Sequence, residues 1–317
     1  MLKLRNCGSA LIMLCLQGAF CHADIIIDGY SHATNDRFTG GSGFVAAGLN
    51  LSGVGQSGAG WWATAISDNV IISASHAAPS GTVYFYSGNN PNLTPITRQI
   101  VSGEKIGSTD IYVAVLDAAL PNTITPYAFA DQYLIGQPPN GNTFYIGNAG
   151  TYQGLETFMF GRSPFNEDIP NDNRFIYNDQ AIGRNRITGY AENVPFLGNT
   201  DADALVLLRD APLLPDNSPN PDYVQYEALN QGGDSGGPTF AIVNGQLVLL
   251  GTNAWIFKDG SGSGINYVGN QKAAIDAYIS QHAISAVPEP SSLILILFSA
   301  VAGGCLKRKF ARVESQA

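Results

Sequence analysis

Seven consecutive residues carry the strongest chemical signal in the chain: Gly232-Gly233-Asp234-Ser235-Gly236-Gly237-Pro238. A serine hydroxyl is a weak nucleophile until a neighbouring base takes its proton. Glycines on both sides let the main chain bend sharply and turn amide hydrogens towards one point. Such amides can hold the oxyanion of a tetrahedral intermediate. For the base, residues 24–284 offer His32, His76 and His282. His76 follows the apolar run Val70-Ile71-Ile72 through Ser73-Ala74-Ser75, so a strand can aim it. A third group, Asp110, stands at the start of Ile111–Leu116. A carboxylate there can hold an imidazole in one tautomer and steady the imidazolium. Taken singly, these are a glycine-rich turn, an exposed histidine and a turn-forming aspartate. Together, in the order His, Asp, Ser, they point to nucleophilic acyl transfer.

Such a site needs rigid elements, and the sequence reads as strands. Trp61–Ile66 and Val70–Ile72 are apolar runs joined by Ser67-Asp68-Asn69, a strand–turn–strand pattern. Further strand candidates are Val83–Tyr86, Ile111–Leu116, Thr143–Ile146, Ala204–Leu208, Gln246–Leu250 and Trp255–Phe257. Short strands with Gly, Asn and Pro punctuation suggest an all-β barrel or sandwich. One stretch, Gln271–His282, has helical spacing, with Ala274, Ile275, Tyr278 and Ile279 on one face. Residues 161–203 and 210–223, rich in Asn, Asp, Pro and Gly, read as long loops that either fence a cleft or are plain surface insertions. No internal repeat is visible.

The three motifs resemble those of the chymotrypsin- and trypsin-like serine proteases. Ser-Ala-Ser-His resembles that family's Ala-Ala-His segment, Thr-Asp-Ile-Tyr-Val-Ala-Val-Leu its Asp-Ile-Ala-Leu-Leu segment, and Gly-Asp-Ser-Gly-Gly-Pro its nucleophile motif. Gly147-Asn148-Ala149-Gly150 sits where the family has a Gly-Trp-Gly turn, and Gly251–Trp255 is similar to its substrate-binding strand. The resemblance covers roughly residues 41–283. It implies two Greek-key antiparallel β-barrels, about 40–135 and about 140–268, with the active site in the cleft between them and a helix over about 270–283. It also implies Ser235 as nucleophile, His76 as general base then general acid, Asp110 as its orienting partner, and the N–H groups of Gly233 and Ser235 as the oxyanion hole. No metal or cofactor is required. The specificity pocket would involve Leu229, six residues before the serine, with Ala254, Trp255 and Ile256 on the binding strand. Leu229 cannot pair with a substrate Lys or Arg, and Ile256 stands where the family has Gly. Small or medium apolar side chains are therefore expected at the cleaved position. Ile25-Ile26-Ile27-Asp28-Gly29 is similar to a degenerate version of the family's activated N-terminus, whose amine pairs with the residue matching Asp234.

The ends read as addresses. Lys3 and Arg5, an apolar run over Ala10–Leu16 and Cys21-His22-Ala23 form a secretory signal peptide cut after Ala23. At the other end, residues 285–317 hold Pro288-Glu289-Pro290, an apolar run to Leu306 and Lys307-Arg308-Lys309. That order resembles the PEP-CTERM sorting signal. The resemblance implies a Gram-negative cell envelope, an exosortase-type partner beside signal peptidase, and contact with the membrane only through the tail before processing. Net charge is −9; the two ends carry six of the basic and two of the acidic residues, so the core is at −13. An acidic core excludes a nucleic-acid partner and suits a soluble secreted protein. All four cysteines, Cys7, Cys15, Cys21 and Cys305, lie in the end segments, so the core has no disulfide framework.

Two rival readings come from other classes. Gly233-Asp-Ser235-Gly-Gly237 also satisfies the Gly-x-Ser-x-Gly pattern of α/β-hydrolase esterases, with Asp259 and His282 following in order. That fold needs a serine between a strand and a helix, whereas Pro238 and β-like segments follow here. The other rival is a catalytically silent binding module built on a protease fold. The intact triad argues for a secreted serine endopeptidase acting on protein or peptide substrates.

Overall fold

A computed structural model of the chain describes residues 24–39, 43–90, 92–140, 145–164, 179–199 and 201–283. The chain divides into two compact segments, 1–282 and 283–317; all described residues but Ala283 belong to the first, which holds both of the β units described below. The signal-peptide reading of 1–23 and the sorting-tail reading of 285–317 lie outside the described residues.

The chain enters through β1 (Ile26–Ile27) and the one-turn helix α1 (His32–Asn35). Six strands follow: β2 (Val54–Ser57), β3 (Trp62–Ala65), β4 (Val70–Ala74), β5 (Thr82–Phe85), β6 (Ile96–Lys105) and β7 (Ile111–Leu116). They close into an antiparallel barrel in the order β2-β3-β4-β7-β6-β5. Nine more follow: β8 (Ala128–Phe129), β9 (Glu156–Gly161), β10 (Ala181–Arg186), β11 (Gly189–Ala191), β12 (Ala204–Leu208), β13 (Ala228–Leu229), β14 (Pro238–Val243), β15 (Gln246–Ile256) and β16 (Gly262–Tyr267). Helix α2 (Lys272–His282) ends the unit.

The second sheet runs β10-β9-β14-β15-β16-β12-β11, with β8 added parallel to β15. Its two end strands are consecutive in the chain. If β10 and β11 are taken as one strand bent at Ile187–Thr188, the order becomes β9-(β10/β11)-β12-β16-β15-β14, the same winding as the first barrel. The bend passes hydrogen bonding from one neighbour to the other: Ile187 N donates to Leu155 O at 3.0 Å, and Thr188 N to Val206 O at 2.8 Å. The second unit is thus a half-barrel, closed around by a bent strand rather than by a ladder. Fold class is as expected: all-β, two antiparallel Greek-key units and a C-terminal helix, the chymotrypsin-like arrangement.

Several sequence expectations need correction. The stretch 161–203 is not all loop, because β10 and β11 lie inside it. Of the Thr143–Ile146 strand candidate, 143 and 144 lie outside the described residues, and Ile146 makes only an isolated bridge. Ala128–Phe129, inside the range expected for the first barrel, pairs with β15 of the second sheet.

Burial explains which strands can hold a site. In β4, Val70 and Ile72 face the main core shared with the second unit, and Ile71 faces the first barrel's own core. In β7, Ile111, Val113 and Val115 face the main core, and Ala114 and Leu116 the barrel interior. Both strands are apolar on both faces, so they are fixed from two sides. Their pairing runs from Val70↔Val115 to Ala74↔Ile111. The N-terminal segment lies along β10, where the bend swings that strand away from β12. Arg37 N donates to Gln180 O at 2.9 Å, Asp36 bridges Ala181, and Asn35 Nδ2 donates to Ile182 O at 3.0 Å.

Candidate active site

The ends of the doubly buried pair carry the first two chemical groups. Beyond Ala74 a single 3-10 turn, Ser75–Ala77, holds His76. Asp110 immediately precedes β7, and Ser75 N donates to Asp110 O at 2.7 Å, extending the β4–β7 ladder by one step. The carboxylate then receives His76 Nδ1 at 2.7 Å on Oδ2 and His76 N–H at 3.0 Å on Oδ1. Asp110 is 1% exposed, and the His76 side chain 19%. This places Asp110 to fix the ring's tautomer, with Nδ1 donating and Nε2 left to accept a proton.

A residue the sequence reading passed over completes the carboxylate's surroundings. Asn266, buried on β16, donates Nδ2 to Asp110 Oδ2 at 3.0 Å and to Asp110 O at 3.2 Å. It joins the second unit's strand to the first unit's aspartate. Nothing in the spacing could have announced it, since 156 residues separate the two.

The serine lies on the turn between β13 and β14. Asp234 N donates to Gln231 O at 3.1 Å and Gly237 N to Asp234 O at 2.9 Å. Gly236 N donates to Asn253 O at 2.8 Å, pinning the turn to β15. Gly236 has φ +83°, and a Cβ there would stand 2.3 Å from Ser73 Oγ, so only glycine lets the nucleophile turn press against the end of β4. That contact sets the serine turn against the strand end that leads into the His76 turn. No hydrogen bond joins Ser235 Oγ to His76. Gly233, at φ +104°, takes a backbone shape that favours glycine. The N–H groups of Gly233 and Ser235 have no partner among the described residues.

Asp234 is fully buried. Its Oδ1 accepts Arg162 N at 2.8 Å and its Oδ2 accepts Gln231 N at 2.7 Å. Burial pushes its carboxyl well above the ordinary range, while those two amides and the Arg162 charge pull it down. The N-terminal segment closes over it: Ile25 N donates to Arg162 O at 3.1 Å, and the Asp24 charge opposes ionisation of Asp234.

The four residues expected to line the specificity pocket divide in two. Ala254, Trp255 and Ile256 end β15 next to the serine turn. β14 stops opposite Thr252, so these three have β16 on one side and no strand on the other. A register shift between Asn253 and Trp255 leaves Ala254 outside the ladder. The Trp255 indole lies over Gly264, where a Cβ would meet Cε2 at 2.1 Å. Leu229 is 2% exposed and pairs with Ile26 of β1. Among the described residues no group of three or more His, Cys, Asp or Glu could hold a metal ion.

No family model matches the chain, and no curated protein matches it. Among solved structures the chain is similar to a mutant of human heparin binding protein, at 12% identity and a TM-score of 0.46. The match covers 74% of this chain and 93% of that one.

Proposed function

We propose that the protein is a serine endopeptidase with Ser235 as nucleophile, His76 as base and Asp110 as the group that orients it. The observation that carries this reading is the doubly hydrogen-bonded His76–Asp110 pair, its carboxylate buried and also bound by Asn266, beside a serine turn whose Gly233 and Ser235 amides have no partner among the described residues. Ser235 Oγ attacks the scissile carbonyl as His76 Nε2 takes its proton. The oxyanion is held by the two amides. His76 then protonates the leaving amine, and water releases the acyl group by the same path in reverse. The missing Ser235–His76 hydrogen bond must form as substrate binds, which is common at sites free of ligand. Residues 254–256 offer the open strand edge on which a peptide could lie.

The cleaved residue is taken to be neutral, because Leu229 brings no anion, and small or medium apolar by the same residues. Secretion by signal peptidase and sorting of the tail by an exosortase-type enzyme to a Gram-negative envelope complete the proposal. Cleavage after Ala23 would leave the amine of Asp24 close to the buried carboxyls of Asp179 and Asp234.

The test is labelling of the secreted protein with a fluorescent fluorophosphonate. Wild type should label and Ser235→Ala should not. A folded wild type that stays unlabelled would replace this reading with a silent binding module, which the absent Ser235–His76 bond otherwise favours.

A further inference from the structure

We propose that Phe196, on the loop between β11 and β12, limits the substrate side chain one position before the cleaved residue to glycine or alanine. The inference rests on the protease reading of His76 and Ser235.

A catalytic imidazole must reach both the serine oxygen and the leaving nitrogen within hydrogen-bond distance. Any ring packed on it therefore borders the residues flanking the scissile bond. The Phe196 ring meets the His76 ring edge to face, with centroids 5.1 Å apart and planes at 82°. The side it borders follows from its neighbours. Phe196 shares an apolar cluster with Ala254 and Trp255, the strand whose open edge adjoins the serine turn. An extended peptide on that edge points successive side chains to opposite sides. With the cleaved residue's side chain turned into the second unit, the one before it turns towards His76 and Phe196.

The wall is held in place. Lys105 Nζ donates to Asn199 Oδ1 at 2.5 Å and Asp201 N to Ser108 O at 3.4 Å, both anchors on the chain leading to Asp110. Asn199 N closes the turn on Phe196 O at 2.8 Å, and Val194 N donates to Ala202 O at 2.8 Å. Phe196 itself is 7% exposed. The next residue, Leu197, has φ +46° and is 60% exposed. A leucine in the left-handed region is strained, and here its side chain gains no burial in return. Strain with no packing return, beside the candidate base, is what a substrate-contacting tip would show.

The experiment uses the full-length secreted protein and peptides fixed at the cleaved residue that wild type prefers. Only the preceding residue varies, among Gly, Ala, Leu and Phe. Wild type should favour Gly and Ala over Leu and Phe by about tenfold or more in kcat/KM. Phe196→Ala should erase that preference. Phe196→Leu, which keeps much of the apolar volume and guards against a folding failure, should weaken it. Fluorophosphonate labelling of each variant reports whether Ser235 is still activated. A flat wild-type profile, or variants that keep the wild-type ratio while still labelling, overturns this inference alone. A shift only at the residue after the cleaved bond also overturns it. A wild type that does not label removes both this inference and the protease reading.

Discussion

Asp110 holds a position few carboxylates share: 1% exposed, with its side-chain donors supplied by His76 and Asn266. Asp110→Asn should leave the fold standing and lower kcat by about 10⁴, since the amide favours the wrong tautomer of His76. Asn266→Ala removes one donor to the Asp110 carboxyl and should cost about tenfold in kcat. Steady-state kinetics on a peptide wild type cleaves would check both, and equal turnover in Asn266→Ala would reduce Asn266 to a packing residue. At this scale legibility was uneven. His76, Asp110 and Ser235 stand out because each motif places a reactive side chain at the end of an apolar strand or in a glycine turn. Asn266 and Phe196 do not, because both act across the fold on residues far away in the chain. Leu229 was legible as uncharged, but its pairing with Ile26 was not.

The elements show a similar division. β3, β4 and β7 were readable because they are continuous apolar runs, and a doubly buried strand has to be one. β6 was missed, since its exposed residues, among them Thr97, Gln99, Ser102 and Glu104, outnumber the apolar ones. β10 was taken for loop because it reads Ala-Ile-Gly-Arg-Asn-Arg. One of its polar members is held by a partner far away in the chain: Asn185 is fully buried and donates Nδ2 to Ala228 O at 2.9 Å. Composition cannot reveal that a buried amide has a partner. Arg37 makes the same point. It is 1% exposed and, among the described residues, has no carboxylate as a hydrogen-bond acceptor. Its donors go to Asn89 Oδ1 at 3.0 Å, Val54 O at 3.0 Å, Gln180 Oε1 at 2.8 Å, and more distantly to Tyr86 O and Gly88 O. Burial lowers its pKa to about 10, so it stays charged at neutral pH. Arg37→Met would leave several buried acceptors unpaired and should destabilise by about 3 kcal/mol, read from chemical denaturation.

For the molecule as a whole, buried carboxyls set the pH dependence of stability. Burial raises Asp179 from 3.8 to about 7 and Glu227 from 4.5 to about 7. Asp234 shifts the same way. Between about pH 4 and pH 7 the folded chain therefore binds more protons than the unfolded one. Stability is fully present below the unfolded values, declines as pH rises through that window and levels off above it. The melting temperature should be higher near pH 5 than near pH 8. Asp179→Asn with Glu227→Gln should flatten the slope, and an unchanged slope would show that other groups control it. The internal winding repeat belongs to this scale too. No sequence similarity betrayed it, because the two units share strand order and not residues, and the second carries its bend at Ile187–Thr188.

That bend has one more consequence. Where β10 leaves β12, its outer side is covered by residues 35–37 of the N-terminal segment and further along by Asn185's bond to Ala228. An uncovered strand side offers a row of hydrogen-bonding groups to any other chain. The N-terminal segment thus guards against self-association as well as completing the fold. A protein trimmed to begin after Thr39 should form dimers or larger aggregates on size-exclusion chromatography while the intact protein elutes as a single smaller species. Handling that nicks this segment would then cost solubility before it touched the residues around Ser235.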